Sequence, residues 1–222
     1  ALDYLTASNR KSLGDEVADF DSGLLNAEGR DVVVIGGGDT AMDCVRTAIR
    51  QKANSVTCLY RRDRANMPGS QREVANAEEE GVDFRWLSAP QAFLGDNHVR
   101  AVQAQKIHLG QPDATGRQVP QIIEDSSHEI QTDLVIKALG FDPEDIPTMF
   151  GAPELEVSKW GTIGVDWRTM MTNLPGVFAA GDIVRGASLV VWGVRDGRDA
   201  AESIHSYIMA QSEAPRVAAA GA

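Results

Sequence analysis

The chain has 222 residues, 43% of them hydrophobic, and a formal net charge of −11. That length suits one large domain or one and a half smaller ones, and the acidic balance argues against a nucleic-acid surface. No apolar run approaches transmembrane length and no signal peptide is visible, which argues against a membrane protein and suggests a cytoplasmic one.

The chain opens on Ala1 rather than Met, as a fragment or a processed chain would. Residues 1–30 are polar and weakly patterned. Leu2, Tyr4 and Leu5 suggest a short helix, and 15–29 reads as a connecting loop. The apolar run Val32-Val33-Val34-Ile35 then ends in Gly36-Gly37-Gly38-Asp39-Thr40-Ala41, a G-x-G-x-x-A pattern that opens onto a helical one. Gly36 permits a sharp turn out of a strand. Gly38 leaves room for a pyrophosphate to approach the backbone, and Ala41 lets the new helix pack closely on the strand. The free N–H groups and the positive end of the helix dipole face the phosphates. A ligand-free glycine turn is the plainer alternative, but the strand before and the helix after favour a dinucleotide site formed by residues 36–41.

A helix is expected over 40–51, with Ala41, Met42, Val45, Ala48 and Ile49 on its apolar face. Ser55-Val56-Thr57-Cys58-Leu59-Tyr60 reads as the second strand. An NAD site usually carries an acidic residue near the end of this strand, to accept from the ribose 2′-OH. Here Arg61 and Arg62 follow, with Arg64 close behind. Guanidinium groups there suit a 2′-phosphate and favour NADP(H) over NAD(H). Asp63 lies among them and could blunt their field.

Ser70-Gln71-Arg72-Glu73 has the form of a capping box and Gly81 that of a stop, so a second helix is expected between them. The acidic run Glu78-Glu79-Glu80 reads as its solvated end. A strand is expected over 83–87. The pattern then alternates over 99–109, turns over 111–116, and continues in short strands over 119–123 and 129–131, a β-meander inserted in a βαβ unit. Residues 133–140 return to a buried strand ending in Gly140. The dinucleotide domain is expected to span 31–143 and a further partial domain 144–211. In the latter, 176–182 reads as a strand ending in Gly181-Asp182, and a helix follows over about 189–209. The Ala-rich segment 212–222 is expected to be disordered. Cys44 and Cys58 fall at apolar positions and form no C-x-x-C, so this chain alone builds neither a redox dithiol nor an iron–sulfur cluster. His98, His108, His128 and His205 show no metal-ligand spacing.

Together these residues resemble the pyridine nucleotide-disulfide reductase superfamily. Within it, Gly37-Gly38-Asp39-Thr40-Ala41-Met42-Asp43, Tyr60-Arg61-Arg62, Met67-Pro68-Gly69, Glu78-Glu79-Glu80-Gly81, and Ala180-Gly181-Asp182 with Val190-Val191-Trp192 are similar to the small (β) subunits of bacterial NADPH-dependent glutamate synthases. The resemblance implies an α/β fold: a Rossmann-like NADPH-binding domain of parallel sheet and helices with its inserted meander, plus the C-terminal portion of an FAD-binding domain. It implies hydride transfer from NADPH to FAD. Electrons would then pass through iron–sulfur clusters outside this chain to the large (α) subunit. The first FAD-binding G-x-G-x-x-G and a cysteine-rich segment would lie upstream, so the isolated chain is expected to lack turnover. Gly181 and Asp182 would meet the FAD ribityl chain. Leu189, Val190 and Val191 would meet the flavin edge at a helix N-terminus. Gly140 would lie beside NADPH. No catalytic acid or base is expected, because the cofactors carry the chemistry. Modules that feed pyrimidine, ferredoxin or sulfide-linked reductases, or a docking fragment without turnover, remain as alternatives.

Overall fold

The computed structural model describes residues 1–112, 116 and 118–213. It divides into two units, Ala1–Gly140 and Phe141–Ala222. The first unit begins with α1 (Leu2–Ser12) and a short α2 (Ala18–Asp21), the latter within the segment expected to be all loop. Tyr4 is buried. Its hydroxyl donates to Gln51 Oε1 at 3.0 Å, which also accepts from the Ala27 N–H at 2.8 Å. Tyr4 and Ala27 thus tie this segment to Gln51 at the end of the next helix.

A parallel sheet follows: β1 (Asp31–Ile35), β2 (Ser55–Leu59), β3 (Asp83–Arg85) and, much later in the chain, β8 (Leu134–Lys137). Their order across the sheet is β3-β2-β1-β8, with Val32 beside both Val56 and Leu134. Helix α3 (Asp39–Arg50) joins β1 to β2, and α4 (Gln71–Glu79) leads to β3. Val32 and Val34 pack with Ala41, Met42, Val45 and Ala48 of α3 and with Val74 and Ala77 of α4. Val33 and Ile35 point the other way and pack with Leu59, Val102 and Ala104. Both faces of β1 are thus covered, which is why the strand reads as an unbroken apolar run instead of alternating.

Val102 and Ala104 come from a second, antiparallel sheet. It comprises β4 (Ser88–Leu94), β5 (Ala101–Pro112), β6 (Gln118–Ile122) and β7 (His128–Gln131). Strand β5 is its spine. It pairs with β4 along one stretch, with β7 at Ala101↔Gln131, and with β6 at Ile107↔Ile122. In a simple meander β7 would pair with β6. Instead β6 and β7 run in the same direction, both along β5, as one strand interrupted at 123–127. The turn expected over 111–116 gives way at Gln111 and Pro112, which extend β5; 113–115 lie outside the described residues. Strand β4 was not expected at all. Its Pro90 cannot donate to a ladder, and the register shifts between Pro90 and Ala92, so no strand pattern survives in its sequence.

The second unit has little regular structure before its last helix. It contains α5 (Ile146–Met149), α6 (Asp182–Arg185) and α7 (Val190–Glu213). The strand expected over 176–182 is absent as such. Phe178 forms a single antiparallel bridge to Met171, and Met171 a single bridge to Asp166. One rung on one side does not make a strand, and the described residues offer no neighbour on the other. Ser212 and Glu213 continue α7 rather than joining a tail; 214–222 lie outside the described residues.

Candidate dinucleotide-binding site

The glycine turn leaves β1 under tight steric control. Gly36 has φ +146°, and a Cβ on it would stand 2.2 Å from the Ala138 carbonyl oxygen. That carbonyl follows β8, and the Ala138 N–H donates to Ile35 O at 2.8 Å. A Cβ on Gly37 would meet the Tyr60 ring at 2.4 Å. Nothing lies within 4 Å of a Cβ on Gly38, so this is where the turn opens outward. Gly38 is the N-cap of α3 and accepts from the Ala41 and Met42 N–H groups through its carbonyl. The N–H groups of Gly38, Asp39 and Thr40 have no acceptor among the described residues. Unsatisfied donors, a helix N-terminus and open space together make an anion cradle. Ala41 is fully buried against the sheet, as close helix–strand packing requires.

Gly140, at φ +86°, ends the stretch that follows β8, beside β1 in the sheet. It is exposed, with nothing within 4 Å of a Cβ. The strand ends that carry the glycine turn and Gly140 are thus adjacent, the usual place for a ligand in an open α/β sheet.

The arginines differ from one another. Arg61 is exposed and makes no ion pair among the described residues. Arg62 Nε is buried and has no hydrogen-bond partner among the described residues. An unsatisfied buried donor of this kind costs on the order of 1–3 kcal/mol, so it points to an acceptor from outside the chain. Arg64 is committed elsewhere: its Nη1 donates to both Glu78 carboxylate oxygens at 2.7 Å. Expected as a third phosphate ligand, it is instead held to α4. Asp63 Oδ1 accepts from the N–H and the side-chain amide of Asn66, at 2.9 and 2.8 Å, and closes the loop's own turn.

The capping box also resolves differently. Ser70 is the N-cap of α4, but its hydroxyl makes no cap. Glu73 pairs with Arg46 of α3, and Glu80 binds both Arg46 and Arg50. With Glu78 on Arg64, two of the three acidic residues at the helix end are engaged rather than merely solvated. Arg46 holds the Glu80 carboxyl below its ordinary range. Asp43 moves the opposite way, raised by partial burial and by the nearby Asp39 and Glu73 charges. Burial pushes the Cys44 and Cys58 thiols up to about 12, so neither is a nucleophile at neutral pH.

The second unit presents the residues expected around a flavin. Gly181, at φ +80°, precedes Asp182, an exposed carboxylate at the start of α6. Leu189, Val190 and Val191 are exposed at the start of α7, and Leu189 O accepts from the Trp192 N–H at 2.9 Å. Sequence reasoning missed the residue that joins these pieces. Asp196 is buried in α7 and accepts two hydrogen bonds from Arg185 of α6, at 2.5 and 2.6 Å. The Arg185 guanidinium lies 4.8 Å from the Trp167 ring centre and 5.1 Å from that of Trp192. Arg185 holds the Asp196 carboxyl below the usual range. The charge of Asp196 was visible in the sequence, but its burial was not.

Residues 6–214 match the pyridine nucleotide-disulphide oxidoreductase family. The chain belongs to this family. A glutamate synthase [NADPH] small chain from Azospirillum brasilense is 69% identical over 220 residues, which is 99% of this chain and 46% of that protein. The corresponding small chain from Halomonas elongata is 46% identical over 211 residues, 94% of this chain and 44% of that one. The chain therefore spans about half the length of the curated relatives it matches. Among solved structures, a thioredoxin reductase from Lactococcus lactis superposes with a TM-score of 0.67 at 25% identity, covering 85% of this chain and 57% of that one. No helix among the described residues is long and apolar enough to cross a membrane.

Proposed function

We propose that the chain is the NADPH-binding part, with a portion of the FAD-binding part, of the small chain of an NADPH-dependent glutamate synthase. When bound, NADPH supplies a hydride to FAD, and the electrons leave through iron–sulfur clusters outside this chain to a large subunit that makes glutamate. The turn at Gly36, Gly37 and Gly38 and the N–H groups of Asp39 and Thr40 bind the pyrophosphate. Arg61 and Arg62 take the 2′-phosphate, and Gly140 leaves room beside the nucleotide. Asp182 accepts from the ribityl chain of FAD, and the start of α7 at Leu189, Val190 and Val191 stabilises negative charge on the flavin edge. A cytoplasmic location accords with two free, buried cysteines.

One observation carries the cofactor assignment. Arg62 keeps a buried Nε without a partner among the described residues, next to an exposed Arg61, at the end of β2 where an NAD-specific site usually has a carboxylate. Charge-assisted hydrogen bonds of this kind contribute roughly 1.5–3 kcal/mol. Arg62→Ala is expected to weaken NADPH binding at least several-fold and to leave NADH almost unchanged. Isothermal titration with both nucleotides reads this directly, and equal affinities in the unmodified protein would overturn the assignment.

A further inference from the structure

We propose that Asp39 is a positioning residue that sets the preference for NADPH by clasping the 61–70 loop onto the glycine turn. The inference rests on the dinucleotide reading above. Asp39 stands at the phosphate end of α3, yet its carboxylate is turned to the protein: Oδ1 accepts from the Ser70 N–H at 2.8 Å. One residue earlier, the Gly69 N–H donates to Gly37 O at 2.9 Å. A Cβ on Gly69 would stand 3.0 Å from that same oxygen, so the loop and the turn touch backbone to backbone. At the loop's other end the Tyr60 ring lies against Gly37, and the Tyr60 hydroxyl donates to Asn66 O at 3.2 Å.

The loop is thus fastened to the turn at both ends. Arg61 and Arg62 lie between the fastenings, and Arg64 is anchored separately to Glu78. The spacing between the pyrophosphate donors and the two guanidinium groups follows from this clasp. NADPH must engage both at once, whereas NADH needs only the turn. Clasp and charge also act in opposite directions. A carboxylate beside a pyrophosphate repels it. If Asp39 acted through its charge alone, removing it would tighten both nucleotides. If it acts through the clasp, removing the acceptor weakens NADPH selectively.

The test is isothermal titration of NADPH and NADH into the unmodified chain, Asp39→Ala and Asp39→Asn, with circular dichroism and thermal unfolding to confirm the fold. The Asn variant keeps an oxygen acceptor for the Ser70 N–H and loses the charge. Asp39→Ala is expected to lower the ratio of NADPH to NADH affinity by about tenfold, and Asp39→Asn to retain the ratio. Trypsin is expected to cut after Arg61 and Arg62 faster in Asp39→Ala than in the other two proteins. A ratio left unchanged by Asp39→Ala, through equal tightening or equal weakening of both nucleotides, would overturn the proposal. A chain with no NADPH preference before substitution would instead overturn the cofactor assignment itself.

Discussion

At the scale of single residues, the three glycines of the turn are not equivalent. Gly36 combines φ +146° with a carbonyl oxygen 2.2 Å from any Cβ, so its role is to let β1 and the end of β8 meet. Gly38 has an ordinary extended backbone, φ −89° and ψ 176°, and open space around it. Gly36→Ala is therefore expected to destabilise the first unit by on the order of 2–4 kcal/mol, from overpacking and a strained backbone. Gly38→Val is expected to change stability by less than about 1 kcal/mol while abolishing NADPH binding, because the branched side chain fills the space of the pyrophosphate. Thermal unfolding and titration on the two variants should separate in this way. A Gly38→Val protein that binds NADPH normally would show that the turn is not the phosphate site. The motif was legible because it needs small residues in a fixed order. What each glycine avoids was not, since Ala138 and Tyr60 approach from elsewhere in the chain.

At the scale of elements, the position of α4 against α3 depends on charge pairs far apart in sequence. Arg46 joins Glu73 and Glu80, and neither partner lies within one helical turn of it. This explains why the capping box failed: Glu73 had a stronger partner on another helix than the backbone of its own. The same blindness hid the Arg64–Glu78 pair, the buried Asp196 and the bulged strand β4. By contrast β1, α3 and β2 were legible because a doubly covered strand and a one-sided helix leave unmistakable periods. The pairing also makes a pH prediction. The ordinary value for Glu80 is 4.5, and the folded protein lowers it through Arg46. A lowered carboxyl stabilises the fold above about pH 4.5 and loses that contribution as pH falls through the folded value. Glu80→Gln is expected to unfold more readily than the unmodified chain at neutral pH, and to lose less stability on acidification to about pH 4. Parallel acid-induced losses in thermal unfolding would exclude Glu80 as a contributor.

At the scale of the whole molecule, the two units differ in how their apolar residues are covered. The first has a sheet covered on both faces. Among the described residues the second has isolated bridges in place of a sheet, at Val157–Ile163, Asp166–Met171 and Met171–Phe178, and leaves Phe150, Val177, Leu189, Val190 and Val191 exposed. A cavity of about 490 Å³ in that unit is lined by apolar side chains including Leu155, Ile163, Phe178 and Ile183. The described residues contain one glycine-rich strand–turn–helix, and it serves the first unit. On the proposed reading Asp182 and the start of α7 meet the ribityl and ring portions of FAD, but much of a dinucleotide's affinity comes from its phosphate and adenine contacts, and only the surplus after ordering costs is seen. The 222-residue chain is therefore expected to bind NADPH yet to hold FAD weakly or not at all, and to leave artificial electron acceptors unreduced. A longer protein of the length of the curated relatives should recover flavin. In that protein Asp182→Ala should lower the flavin content measured by absorbance after denaturation, with the fold intact by circular dichroism. Stoichiometric, tightly held FAD in the 222-residue chain would show that the second unit builds a complete flavin site from the residues it already has.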